Sequence, residues 1–202
     1  LVAITPERIA AGVADLTGAI SQVPSTVSAI KVGGRRAYDL ARAGEEVQLK
    51  ARDVTVNRFE VLAVRPVDGA IDLDVVVDCS SGTYIRSLAR DLGASLGVGG
   101  HLTALRRTRV GPFDVSDAVG LDALEGAATL TPGEAAGRIL PVLEMSGDEA
   151  RDLRHGKRLS GQAARLEETI GAAIDPEGLL IGIVEKRGAD LKSAMNMPEG
   201  DR

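Results

Sequence analysis

Cys79-Ser80-Ser81-Gly82-Thr83-Tyr84-Ile85-Arg86-Ser87-Leu88-Ala89-Arg90-Asp91-Leu92-Gly93 is the stretch from which the fold is read. Upstream of it, Ile71, Leu73, Val75, Val77 and Cys79 hold every second position, with Asp72, Asp74 and Asp78 between them. Period two is the mark of a strand with one buried and one wet face. Downstream, Ile85, Leu88, Ala89, Leu92 and Leu96 recur at helical spacing, with Thr83 as the expected N-cap and Gly93 as a break or C-terminal cap. Tyr84 and Arg86 therefore sit where a strand gives way to a helix. They read either as an edge-of-core tyrosine and a surface arginine, or as functional groups presented at the mouth of a rigid scaffold.

Working upstream, Arg52 to Arg65 reads as a second strand whose parity changes. Val54 and Val56 share one face, whereas Phe59, Val61 and Ala63 have the opposite numbering, which predicts a bulge at Asn57-Arg58. Asp68-Gly69 is a hairpin turn between the two strands. Pro24 to Arg42 combines small polar residues, a Gly33-Gly34 turn and a short helical pattern with Tyr38 and Ala41. It is too polar for core, and reads as an arm or as a plain hairpin–helix connection. The first element is a helix opened by Thr5-Pro6-Glu7, with Ile9, Val13, Leu16 and Ile20 on one face, broken near Gly18. Two long strands, a helix and a further apolar run imply a mixed, mainly antiparallel α+β fold rather than repeated βαβ units.

Downstream, Val98-Gly99-Gly100-His101 is a turn, and Leu102-Thr103-Ala104-Leu105 leads into Arg106-Arg107-Thr108-Arg109. Guanidinium forks match phosphate oxygens in pairs, so this block suits a nucleic-acid backbone. His101 reads equally as a polar cap or an RNA contact, and Leu105 has an ordinary core reading. Thr131-Pro132-Gly133-Glu134 begins a short helix, Pro141 marks a boundary, and Ser146-Gly147-Asp148-Glu149-Ala150 opens another helix. Ile170–Ile174, an Asp175-Pro176-Glu177-Gly178 turn and Leu179–Glu185 complete a small β-rich module, with residues from Met195 onward expected to fray.

Net charge is −5, which at first argues against a nucleic-acid partner. The signs are segregated, however. Between residues 23 and 52, Lys31, Arg35, Arg36, Arg42, Lys50 and Arg52 face Asp39, Glu45 and Glu46; between 86 and 109, Arg86, Arg90, Arg106, Arg107 and Arg109 face Asp91 alone. Such blocks read as a confined phosphate-binding groove or as solvated helix faces. Four aromatic residues (Tyr38, Phe59, Tyr84, Phe113) are too few for stacking along a single strand to be the main mode of binding. Cys79 is the sole cysteine and takes a buried strand position, so it reads as a small core hydrophobe. With only His101 and His155 beside it there is no zinc-binding set, and no metal is expected. No apolar run approaches the roughly 20 residues of a membrane span and no signal-peptide pattern is read, so a cytoplasmic protein is expected.

Three ordered blocks closely resemble the TruB family of tRNA pseudouridine synthases, of the bacterial and actinobacterial-like type. They are Gly82-Thr83-Tyr84-Ile85-Arg86-Ser87-Leu88, then Gly99-Gly100-His101 with Leu105–Phe113, and upstream Val23-Pro24-Ser25 through to Leu40-Ala41-Arg42. The resemblance is strong from about Pro6 to Leu124 and looser beyond. It implies uridine-to-pseudouridine conversion in the TΨC loop of tRNA, with Tyr84 taking part in proton removal from the base. Arg86 would pair with a nucleophilic aspartate, and Leu105 would pack against the target base. Lys31, Arg35 and Tyr38 would grip RNA from a thumb insertion spanning about residues 22–50, with His101, Arg106 and Arg107 as further RNA contacts. No cofactor is implied, and a monomer is expected. The implied domains are 1–140, the C-terminal portion of the catalytic domain, and 141–202, a PUA-like RNA-binding module.

In the family the nucleophilic aspartate, a partner histidine and a base-stacking tyrosine precede the helix at Pro6, so the chain is expected to be the C-terminal part of such a synthase. A sheet that has lost strands would leave a part-exposed edge and poor solubility. Gly120-Leu121-Asp122 followed by Ala128-Thr129 imitates the aspartate motif weakly, but Asp122 reads as a helix-start acid. A binding-only remnant with an RNA-chaperone role is the alternative. The arm block argues against a guide-RNA-dependent relative.

Overall fold

The computed structural model describes residues 4–24, 31, 32, 34–36, 39, 42, 43 and 49–198. Its contacts divide into two compact units, residues 1–105 and 106–202.

In the first unit, α1 (Pro6–Asp15) opens as expected: the Thr5 hydroxyl accepts from the Arg8 N–H, and Pro6 takes the first turn, where its lacking N–H costs nothing. The helix stops at Asp15, a little before the break expected near Gly18. Ile20 belongs instead to β1 (Gly18–Gln22), and its helical phase with Ile9 and Val13 is a coincidence of numbering. β2 (Lys31–Val32) and β3 (Arg35–Arg36) form a small hairpin about Gly34; the expected helical turn at Tyr38 and Ala41 lies outside the described residues. β4 (Arg52–Val67) and β5 (Ala70–Cys79) pair antiparallel through the Asp68-Gly69 turn, and β1 pairs with the start of β4 to give the order β1-β4-β5.

The parity change in β4 has the cause expected of it. The pairing with β5 skips Asn57, and a second shift between Val61 and Ala63 follows. Val54 and Val56 are buried before the first bulge and Phe59, Val61 and Ala63 half-buried after it, so one face stays on the core. Cys79, the last residue of β5 and paired with Val56, is half-buried and not a core residue. Among the described residues β5 has one strand neighbour, and Leu62, Val64, Val67, Ile71 and Val76 are exposed on this sheet.

α2 (Ile85–Ser95) lays Leu92 and Leu96 against Ile9 and Val13 of α1, with Phe59, Val61 and Leu73 of the sheet beneath. Each such side chain removed from water contributes about 1.5–3 kcal/mol. Gly93 is no helix break. It is buried in the helix where the chain at Gly99-Gly100 crosses it, and a Cβ there would lie 2.5 Å from the Gly100 nitrogen. The helix ends at Ser95, in a Schellman motif: Gly97 takes φ +81°, its N–H donates to the Ala94 carbonyl, and the Val98 N–H donates to that of Gly93.

The second unit begins with a hairpin of β6 (Arg109–Val110) and β7 (Phe113–Asp114). Two single 3-10 turns follow, the second at Leu121–Ala123. α3 (Pro132–Gly137) and α4 (Gly147–Arg154) each start with a complete capping box, Thr131 with Glu134 and Ser146 with Glu149. Between them β8 (Val142–Glu144) runs parallel to β9 (Ile170–Ile174), and β10 (Leu180–Arg187) and β11 (Asp190–Asn196) complete the order β11-β10-β9-β8. Leu143, Met145, Leu153, Leu166, Ile181, Val184 and Leu191 form the core of this unit. The expected fraying from Met195 is overturned for residues 195–197, and residues 199–202 lie outside the described residues. Met195 pairs with Ile183, and the Met197 N–H donates to the Ile181 carbonyl at 2.9 Å.

Candidate functional site

The junction between β5 and α2 is built by hydrogen bonds from three directions. Ser80 anchors it to β4: its N–H donates to the Thr55 carbonyl at 2.8 Å, and its hydroxyl accepts from the Thr55 N–H at 3.0 Å. Gly82 takes φ +84°, a conformation that a side chain resists, and so turns the chain out of the strand. Thr83 is not the N-cap expected of it. Its hydroxyl is spent on the Ser80 carbonyl at 2.9 Å, and Tyr84 takes the cap position with extended backbone and no capping bond from its own side chain.

The cap residue is held instead by its own main chain, through Gln22, the last residue of β1. Its side chain is only 2% exposed, and both ends of its amide are used. Oε1 accepts from the Tyr84 N–H at 2.7 Å, and Nε2 donates to the Tyr84 carbonyl at 3.1 Å. That carbonyl also receives the N–H groups of Ser87 and Leu88 as the first turn of α2 closes. One residue on, the Val23 carbonyl accepts from the Ser87 hydroxyl at 3.2 Å and from Arg90 Nη2 at 2.8 Å, while Arg90 Nε donates to Asp91 Oδ1 at 2.7 Å. The end of β1 is thus fastened to α2 by four hydrogen bonds from three side chains.

Tyr84 is half-buried and Arg86 exposed in the first turn of α2, which contains no acidic residue. A cation there opposes the helix dipole, whose N-terminal end favours anions by about 0.3–1 kcal/mol. Arginine at this position, beside N–H groups that point out of the helix, suits a carboxylate or phosphate. Leu105 is 65% exposed, so the core reading of it does not hold. Asp122 sits exposed in the isolated turn Leu121–Ala123, beside a Leu121 that is 86% exposed. A shallow apolar depression of about 640 Å³ between α1 and β4, lined by Val13, Thr17, Phe59 and Val61, contains neither Tyr84 nor Arg86. Among the described residues no group of three histidine, cysteine or carboxylate side chains is placed to hold a metal ion.

Three family models together match residues 1–198. They are the TruB family pseudouridylate synthase N-terminal domain over residues 1–85, the tRNA pseudouridylate synthase B C-terminal domain over 86–144, and the tRNA pseudouridine synthase II C-terminal model over 140–198. The chain belongs to the TruB family. Named relatives include tRNA pseudouridine synthase B of Leifsonia xyli, 55% identical over 98% of this chain and 66% of its own length. Those of Corynebacterium aurimucosum and Nocardia farcinica are 55% and 57% identical over 94% and 90% of this chain, and 63% and 59% of their own lengths. The chain therefore spans just under two thirds of the relatives it matches. Among solved structures a Cbf5–Nop10–Gar1 complex is similar with a TM-score of 0.61, at 21% identity over 98% of this chain and 62% of that one. An H/ACA RNP bound to a substrate RNA containing 2'-deoxyuridine gives 0.62 at 20% identity over 96% and 62%. At such identities the likeness is one of fold, and it agrees with the α+β reading.

Of the residues that the TruB motifs single out, Tyr84 and Arg86 are brought together on the N-terminus of α2. Arg35 lies exposed on β3, Lys31 lies on β2, and Tyr38 falls outside the described residues. His101 is exposed in the first unit, and Arg106 and Arg107 are exposed at the start of the second. The sequence places Ser87 only in the motif and Arg90 only in a basic block, whereas both hold the Val23 carbonyl, and it does not single out Gln22 at all. Nothing in a single glutamine before Val-Pro marks it as the partner of a residue 62 positions away.

Among the described residues no helix is long and apolar enough to cross a membrane. In the second unit the carboxylate of Asp175 is buried. Burial pushes it up, but the N–H groups of Leu179 and Glu177 and the Arg154 guanidinium outweigh that and hold it below the usual carboxylate range.

Proposed function

We propose that the protein isomerises uridine to pseudouridine in the TΨC loop of tRNA, as a cytoplasmic monomer needing no cofactor. In this reaction the N1–C1′ bond breaks, the base turns, a C5–C1′ bond forms, and the proton leaving C5 is balanced by one gained at N1. A stacked base shields its glycosidic bond, so the nucleotide must be flipped out first. The exposed Leu105 gives an apolar surface for that base. Tyr84 offers a phenolic oxygen to the proton transfer at C5. Arg86 holds the family's aspartate ionised and oriented by a charge-assisted hydrogen bond.

The observation that carries this reading is the placing of Tyr84 and Arg86 on one helix start, within a chain that matches TruB models over residues 1–198. Lys31, Arg35 and Tyr38 of an arm spanning about 22–50, together with His101, Arg106 and Arg107, are the proposed RNA contacts. Residues 1–140 then belong to the catalytic domain, and 141–202 form a PUA-like RNA-binding module.

The test is tritium release from a T stem-loop labelled at C5 of the target uridine. In the full-length protein, Tyr84→Phe should abolish release while stem-loop binding stays within about threefold. Release at the unmodified rate would remove Tyr84 from the chemistry. The 202-residue chain alone should bind the stem-loop without releasing tritium. Release from it would make Asp122 the first candidate for the nucleophile.

A further inference from the structure

We infer that Gln22 is a positioning residue for Tyr84: through its two-pronged bond to the Tyr84 main chain it sets where the phenol stands during turnover. This rests on the proposed role of Tyr84. A buried neutral amide is unusual in carrying a donor and an acceptor on one fork, and here each prong meets the matching group of a single residue. Tyr84 is the N-cap of α2 and caps nothing with its own side chain, so its main chain is fixed from outside. β1 is in turn held in register with β4 from Gly18 to Gln22, and the Val23 carbonyl is gripped by Ser87 and Arg90. The fork therefore stands on a rigid base, and its direction is passed to the phenol through one residue's backbone. A displacement of about 1 Å at a reacting group can cost on the order of a hundredfold in rate.

The geometry makes one substitution diagnostic. Gln22→Glu keeps the shape. As a neutral acid it still has one donor and one acceptor and can make both bonds. As a carboxylate it can accept from the Tyr84 N–H but faces the Tyr84 carbonyl with like charge. The ratio of kcat for Gln22→Glu to that of the unmodified protein should therefore fall as pH rises, following one ionisation, while KM for the stem-loop stays within about twofold. Gln22→Met fills the same space without either bond, and should lower kcat by about 100-fold at every pH with KM again little changed. The 13Cζ resonance of Tyr84, in full-length protein labelled at tyrosine, should shift in Gln22→Glu with the same midpoint as the kcat ratio.

A merely structural role predicts otherwise. Both variants would melt at lower temperature, with kcat of the folded fraction unchanged and no ionisation in the resonance. A flat kcat ratio beside an inactive Tyr84→Phe would overturn the inference and leave the function standing. Full activity of Tyr84→Phe would overturn both.

Discussion

Gly93→Ala is the substitution for which secondary-structure preference and tertiary packing disagree in sign. Gly93 lies inside α2, where alanine is favoured over glycine by about 1 kcal/mol. If helix propensity governed, the variant would be more stable. The added Cβ, however, would lie 2.5 Å from the Gly100 nitrogen, 2.6 Å from the Gly99 carbonyl carbon and 2.7 Å from its oxygen. All three are main-chain atoms, so no side chain can rotate away, and the crossing must open by about 1 Å to restore van der Waals contact. Overpacking of this kind costs about 1–3 kcal/mol, and the upper end applies where only backbone can yield. Setting the propensity gain against it leaves a net loss of about 2 kcal/mol. Gly100 has the same problem from the other side, since its Cβ would lie 2.1 Å from the Ala89 carbonyl oxygen. In urea, with a slope of about 2 kcal/mol/M, the midpoint of the full-length variant should fall by about 1 M. Amide exchange should locate the loss in residues 85–105, the segment leading to His101 and Leu105. A midpoint unchanged, or raised by about 0.5 M as propensity alone requires, would refute the close crossing.

Other expectations are more local. Ser146→Ala removes the hydroxyl that accepts from the Glu149 N–H and should destabilise the second unit by about 1 kcal/mol, with Ser146→Asp recovering most of it in the same melts. Asp175 is held below the ordinary carboxylate value, so its contribution is fully present above an unfolded-state pKa of about 3.9 and is lost as pH falls through the lower folded value. Asp175→Asn should accordingly cost about 1–3 kcal/mol at pH 7 and flatten the acid limb of stability below about pH 4, measured by urea midpoints across pH. Arg106→Ala should weaken binding of a T stem-loop and reduce the slope of log affinity against log salt by about one. An unchanged slope would take Arg106 off the phosphate backbone.

Much of the fold and part of the site can be read directly from the residues. Alternation along β5 and the shifted parity of β4 require two half-buried strands with a bulge at Asn57, because a strand that keeps one face on the core must absorb an odd residue somewhere. Thr5-Pro6, Thr131-Pro132-Gly133-Glu134 and Ser146-Gly147-Asp148-Glu149 specify helix starts, since a cap needs only neighbours three residues away. The position of Tyr84 and Arg86 at a strand-to-helix turn was legible for the same reason, the two being only two residues apart. The sequence by itself therefore determined what is local: periodicity, turns, caps and the motif that places this chain in its family.

Contacts between distant segments were settled only by tertiary structure. β1 took Ile20 from a helical pattern because its edge pairs with β4, Gly93 stayed in α2 because a loop crosses it, and Met195 joined β11 because β10 offered a ladder. Thr83 lost the cap to Tyr84 because Ser80 took its hydroxyl, and Gln22, from 62 residues away, took the main-chain N–H and carbonyl of the cap residue. Propensity and spacing describe how a residue meets its own turn of chain. Which polar group ends up opposite a buried amide depends on how the packed elements cross, and that is fixed by burial and hydrogen-bond satisfaction over the whole unit.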